Sequence, residues 1–387
     1  MTGPTVHRPR GSGSARWSRI LPLRMRLLLA LLSAGAALAA CGGTSSSSSG
    51  SGTSASNAKA TTGSGHVSAV LINGYLANTW RPVMIRSAQL LVQRPPLNGQ
   101  ISNLKVIETD NSAQSQNAAL NNVLLNPPKL VLIDASSPTG SNQTIQRVCK
   151  AGVTVVSFDN PVSAPCAWKI LVNFQQLGVA YAKWMATVLH GHGLVFLDRG
   201  LAGTSTSANF TTAALNVLKD YPGITVKSYY SNFEAGAEQS GVANLVSSNP
   251  HVAGIISFAY GAPAEAALQH AGVAPVPLTT FSYNQGMIWC NTHKVPCLLG
   301  SSPAYISGEA MRLGVSIVNG QRTGSPTTVF YPSPFFLSGT SVQPQTTGTV
   351  LPVSKYVQPT LNPGITIPLS PPWANLTASE VLKPPSL

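Results

Sequence analysis

From residue 67 onward, short unbroken apolar runs alternate with longer stretches in which apolar residues recur every three or four positions. A run of the first kind reads as a strand buried on both faces, and the second as a helix with one apolar side. The pattern predicts strands over 67–72, 104–108, 130–133 and 153–158, separated by helices over 82–93, 112–125 and 144–151. Val83, Met84, Ala88, Leu90 and Leu91 form the apolar side of the first of these helices. Pro82 suits a first helical turn, Pro127-Pro128 a stop, and Gly152 a helix end. The rhythm then repeats, with helices over 177–189, 211–218, 236–247, 264–270 and 306–318 and strands over 193–197, 225–230, 254–258 and 276–281. Two successive arrays predict an α/β fold of two doubly wound parallel-sheet lobes. In such sheets ligands sit beyond the carboxyl ends of the strands. That rule singles out residues 73–81, 134–137, 159–160, 200–207 and 283–284. From about residue 339 the texture turns to Pro, Thr, Gln and Ser, loop-like apart from a short helix over 377–382.

The start of the chain has another character. Arg24-Met25-Arg26 precedes an apolar run from Leu27 to Ala40 and then Cys41. A basic start, an apolar stretch and small residues before a cut describe a secretory signal, and a run of about fourteen apolar residues is short for a membrane-spanning helix. Leu38-Ala39-Ala40-Cys41 resembles the lipobox of bacterial lipoproteins, which implies removal of residues 1–40 and acylation of the Cys41 thiol. Residues 42–65 are almost wholly Gly, Ser, Thr, Ala and Asn. Such a segment buries too little apolar surface to order itself, so residues 41–65 read as a lipidated cysteine and flexible tether. The expected location is the cell membrane, lipid-anchored, facing the extracellular or periplasmic side.

Charge changes little. The formal net charge is +13, but six of the 24 Lys and Arg lie ahead of Cys41, leaving 18 basic against 11 acidic residues. Those are scattered singly, without the basic cluster that nucleic acids require. Four cysteines follow Cys41, and an exported chain meets oxidising conditions. The sequence-local pairings Cys149–Cys166 and Cys290–Cys297 are expected, with a metal site or free thiols as alternatives; His293 is the only imidazole nearby, and no metal is expected. An enzyme is not expected either, and no cofactor. The Gly-, Thr- and Ser-rich segment 200–207 lacks the lysine of a phosphate loop, and no Gly-x-Ser-x-Gly elbow occurs. The seven histidines fall in no motif with a carboxylate, and Glu234 and Glu238, one helical turn apart, read as a solvated face.

Several local patterns carry a further resemblance. Gly74-Tyr75-Leu76-Ala77-Asn78-Thr79-Trp80-Arg81 follows the first strand, and Val156-Ser157-Phe158-Asp159-Asn160 ends the fourth. Gly193-Leu194-Val195-Phe196-Leu197 leads to Gly200-Leu201-Ala202-Gly203-Thr204-Ser205, Tyr221-Pro222-Gly223-Ile224 links a helix to a strand, and Glu309-Ala310-Met311-Arg312-Leu313-Gly314 falls in the last long helix. In this order they resemble the type I periplasmic binding proteins, specifically the ribose-like sugar-binding group that serves ABC importers, over most of residues 66–340.

That resemblance implies two lobes joined by a three-crossover hinge: residues 66–172 plus 303–330, and residues 173–302 plus 331–341, with 342–387 as a Pro-rich extension. It implies a monomeric receptor that binds a sugar or sugar-like solute between the lobes and delivers it to a membrane permease. A tethered sensor for a chemoreceptor or histidine kinase, and a binder of another small solute such as an amino acid, are the alternatives. Carried onto this chain, Trp80 is a stacking platform, Phe233 the ring on the other side, and Asn78 and Asp159 hydroxyl partners, with Asp134 where the family often has Asn. Tyr75, Arg81, Asn160, Asn173, Tyr260 and Tyr283 complete the expected binding set. The chain departs from the pattern at Asn160, Ala208 and Phe210, Ala259-Tyr260, Ser282, and Ser301 or Ser302. The second lobe thus trades charged groups for Phe210, Tyr260 and Tyr283, which favours a larger or more apolar ligand than ribose.

Overall fold

The structure is a computed structural model that describes residues 67–74, 76 and 78–385. The segments read as signal and tether, Cys41 and Tyr75 lie outside the described residues. The first half of the chain runs β1 (Val67–Asn73), α1 (Trp80–Leu91), β2 (Ile101–Glu108), α2 (Ala113–Leu125), β3 (Leu130–Ile133), α3 (Asn142–Lys150), β4 (Thr154–Phe158) and β5 (Trp168–Leu171). The second runs α4 (Phe174–Val188), β6 (His192–Asp198), α5 (Ser205–Leu218), β7 (Gly223–Tyr229), α6 (Ala235–Val246), β8 (Val252–Ile256), α7 (Gly261–His270), β9 (Leu278–Phe281), α8 (Asn284–His293) and β10 (Cys297–Gly300). Then come α9 (Ile306–Val318), β11 (Thr328–Phe330), β12 (Phe335–Ser338), β13 (Val350–Pro352) and the single turn α10 (Ala378–Val381).

Two sheets result. One has the order β11-β5-β4-β3-β1-β2 and the other β13-β12-β10-β9-β8-β6-β7. Every pairing is parallel except β10 with β12. The central strands are buried throughout, as Leu-Val-Leu-Ile of β3 shows, because helices cover both faces of a parallel sheet. The chain crosses between the lobes after β5, after β10 and after β11, since α9 packs on β3, β4 and β5 of the first lobe. Disulfides join Cys149 to Cys166 and Cys290 to Cys297.

Helices α4 and α5 pack closely at Gly178, where a Cβ would collide with the carbonyl oxygen of Phe210. Glu238, read as part of a solvated face, is fully buried in α6 and accepts a 2.6 Å hydrogen bond from the Tyr229 hydroxyl. Burial raises its pKa well above the usual carboxylate range, helped by the nearby Asp198. A neutral acid inside a lobe needs no counter-ion.

Residues 342–385 of the C-terminal extension lie against the body. Strand β13 joins the second sheet, and the Ile367 N–H donates to Ser282 O while the Asn284 N–H donates to Ile365 O, each at 2.8 Å. The chain then reaches the first lobe. Trp373 Nε1 donates to Glu309 at 2.8 Å, Arg94 pairs with Glu380 at 2.6 Å, and Leu376 and Val381 are buried.

Candidate functional site

The two lobes face each other across a narrow cavity. From the first lobe come Asn78, Trp80 and Arg81 at the start of α1, and Asp159 and Asn160 after β4. From the second come Phe174, Thr206, Phe233, Phe258, Ala259, Phe281 and Tyr283, with Ser302 from the second crossover. Every contributing loop leaves the carboxyl end of a strand or opens a helix, where a doubly wound sheet presents its ligands.

The first lobe's wall is a chain of polar bonds. The Asn78 side-chain oxygen accepts from the Arg81 N–H at 3.0 Å and so starts α1. Arg81 Nη1 donates to Asn73 Oδ1 at 2.9 Å and also to Asp134 Oδ2. Asn160 Nδ2 donates to Asp134 Oδ1 at 3.1 Å and to Asp159 Oδ2 at 3.0 Å. Thr206 Oγ1 then donates to Asn160 Oδ1 at 2.7 Å, so the chain of bonds ends on the opposite lobe. Arg81 thus pairs with buried Asp134, while half-buried Asp159 feels both charges without bonding the guanidinium. Burial raises the Asp134 pKa against the pull of Arg81. Asp159 is pushed up to about 7, first by burial and then by the Asp134 charge. An acid poised there exchanges its proton near neutrality, and its local environment sets that poise.

Trp80 closes the floor. Its ring is largely buried, its Nε1 donates to Ser302 O at 2.8 Å, and the Arg81 guanidinium carbon stands 5.6 Å from its ring centroid. The opposite wall is aromatic. Phe258 sits at its centre, 5.1 Å from Phe233, 5.2 Å from Phe281 and 5.8 Å from Phe174 in edge contacts, with Phe210 stacked behind at 4.1 Å. Phe233 follows Asn232, and both lie in the left-handed region with φ of 56° and 53°. Asp159 lies there too, at φ 54°. Asn and Asp take that conformation comparatively easily, but a bulky residue adopts it rarely and at a cost, so the strain falls on Phe233, which lines the cavity.

Buried Asp198 holds this wall in place. Its carboxylate accepts the backbone N–H of Gly200 at 2.8 Å, of Ser231 at 3.0 Å and of Phe258 at 3.3 Å, and the Ser231 hydroxyl at 2.7 Å. One side chain therefore pins the loops after β6, β7 and β8 to one another.

The structure gathers Asn78, Trp80, Arg81, Asp159, Asn160, Phe233 and Tyr283 at the cavity. It places three other expected residues outside the lining. Asp134 lies behind Arg81 and Asn160 and is spent on holding them. Asn173 uses its side-chain oxygen to cap α4, accepting from Gln176 N at 2.9 Å. Tyr260 stacks behind Tyr283 with ring centroids 4.7 Å apart. Phe210, expected in the cleft, is fully buried behind Phe258. Thr206, within the segment 200–207 singled out from sequence, and Ser302, at a position where the chain departs from the family pattern, also line the cavity. Phe174, Phe258 and Phe281 line it without having been singled out; they are apolar letters at strand or helix ends, indistinguishable there from core.

Among the described residues no helix is long and apolar enough to cross a membrane, and no cluster of His, Cys, Asp and Glu could hold a metal ion. No curated protein matches this chain. Solved structures do. An ABC transporter solute-binding protein from Thermobispora bispora is 25% identical, with a TM-score of 0.63 over 68% of this chain and 84% of that one. A periplasmic solute-binding protein from Actinobacillus succinogenes with bound D-allose is 17% identical, TM-score 0.62, over 70% and 96%. The arabinose-transporter component from Shewanella sp. ANA-3, bound to L-arabinofuranose, is 14% identical, TM-score 0.63, over 70% and 91%. A family model described as a periplasmic binding protein domain matches residues 69–322, most of the described body. With that match, the two parallel sheets, the three crossovers and the cavity between the lobes, the chain belongs to the periplasmic binding proteins, an extracytoplasmic family of solute receptors rather than enzymes.

Proposed function

We propose that this protein is the solute receptor of an ABC importer, held at the membrane by a lipid on Cys41, and that it captures a sugar between its lobes. The observation that carries the reading is the division of the cavity into a polar wall and an aromatic one. A sugar ring has hydroxyl edges and C–H faces. Trp80 and Phe233 take the faces, and Asp159, Asn160 and Thr206 take the hydroxyls, whose loss of water is repaid only by well-placed partners. Because the second lobe offers rings rather than charges, the fitting ligand carries hydroxyls toward Asp159 and a bare or deoxygenated face toward Phe258. The sugars bound by the neighbouring structures support the class, not the identity. An amino acid fits less well, since Arg81, the cation at the cavity, is already bonded to Asp134 and Asn73.

Closure follows from the same bonds. Thr206 and Asn160 join the lobes directly, so a guest held by both walls favours the closed form, which a permease then reads. A thermal-shift screen against aldoses, deoxy sugars and cyclic polyols tests this. A ligand at a hundred times its dissociation constant adds about 2.7 kcal/mol of stability. Trp80→Ala is expected to abolish the shift while unfolding stays cooperative. Retention of the shift removes Trp80 from the site, and absence of any shift in the wild type ends the sugar reading.

A further inference from the structure

An open groove adjoins the cavity, and Asp159, Phe174 and Thr206 border both spaces. It runs along the hinge between the edge of the first sheet, β5 and β11, and the starts of α4 and α5. Phe330 lies at its rim with 54% of its surface exposed, one of few large apolar side chains left in water among the described residues. Lys169 lies in the same groove. Its ammonium donates to Ala167 O at 3.1 Å and Ala164 O at 3.5 Å, which occupies two of its three donors. The exposed side chains of Gln175 and Asn209 also face this space.

Resting on the sugar reading, we propose that the groove is an outer subsite and that the ligand is a disaccharide. The inner ring lies between Trp80 and Phe233, the glycosidic link passes Asp159, and the outer ring lies on Phe330. Lys169, Gln175 and Asn209 meet its hydroxyls. An exposed ring beside a set of polar side chains is the surface a second sugar needs: one apolar face and donors at the edge. A lone sugar in the inner cavity leaves Phe330 in water; a second one covers it.

The test is calorimetric titration of matched pairs: D-glucose against maltose and trehalose, D-galactose against lactose and melibiose, D-xylose against xylobiose. At least one disaccharide is expected to bind tenfold or more tighter than its component sugar. Phe330→Ala is expected to weaken the disaccharide by roughly tenfold, about the worth of one aromatic contact, and to leave the monosaccharide unchanged. Phe330 is exposed, so its replacement does not threaten folding, and Asn209→Ala gives a second, independent reading of the groove. Monosaccharide binding with no gain for any disaccharide, or equal losses for both sugars in Phe330→Ala, overturns the subsite. Binding of neither class overturns the sugar reading instead, and the subsite with it.

Discussion

Replacing Asp159 by Asn separates what the cavity does for the protein from what it does for a ligand. The Asp159 carboxyl is raised from 3.8 to about 7 by burial and by Asp134. An acid raised on folding keeps a proton that the unfolded chain has lost between those two values. Stability therefore falls as pH rises across that window, and above it the full cost of the buried charge is present. At about 1.36 kcal/mol per pKa unit the gap is worth about 4 kcal/mol, and solvent reaching the cavity wall trims it to about 2–4. Asparagine is neutral at every pH and keeps an oxygen for the Asn160 amide, now 3.0 Å from the carboxylate. Urea unfolding of the ligand-free protein is expected to show Asp159→Asn more stable by about 2–4 kcal/mol at pH 8, and by less than about 1 at pH 4.5. The same variant is expected to bind sugar some 10–100-fold more weakly, the worth of a hydrogen bond to a charged acceptor. Equal stability of the two proteins at pH 8, or the same gain at both pH values, refutes the charge argument.

Two further substitutions probe the frame. Gly178→Ala forces a methyl against the Phe210 carbonyl where α4 meets α5, and is expected to cost about 1–3 kcal/mol in chemical denaturation, with the same slope as wild type. Deleting residues 370–387 removes the buried side chains of Leu376 and Val381 from the first lobe, each worth about 1.5–3 kcal/mol. That truncation is expected to lower stability by about 3–6 kcal/mol, and an unchanged denaturation midpoint means these residues are not docked in solution.

Much of the frame is legible because parallel strands advertise themselves. The runs at β1, β3, β4, β6, β8 and β9 are short, apolar and bounded by turn residues, and the helices between them carry periodic apolar faces. The strands without that signature were missed. Trp168-Lys169-Ile170-Leu171 of β5 is interrupted by a charge, and β11 and β13 are three-residue edge strands. Helix α8, Asn-Gln-Gly-Met-Ile-Trp-Cys-Asn-Thr-His, carries no clear apolar period, and β10, Cys-Leu-Leu-Gly, is an apolar run of only four residues. The site divides the same way. Asp159 is visible because a charged residue ends an apolar strand. Asp198 ends Leu194-Val195-Phe196-Leu197 with the same local signature, yet it faces inward and binds three loop amides. Letters alone do not separate a ligand's partner from a loop's anchor; direction does.

The stretch from Ile367 to Glu380 grips one lobe at Ser282 and the other at Glu309 and Arg94. Any rotation that pulls these anchor points apart must peel Leu376 and Val381 from their seats, work comparable with the capture of a small guest. The three hinge crossovers thus act beside a clasp. Since apparent affinity scales with the share of molecules already shut, a clasped pair of lobes takes up solute at lower concentration and surrenders it more slowly than an unclasped one.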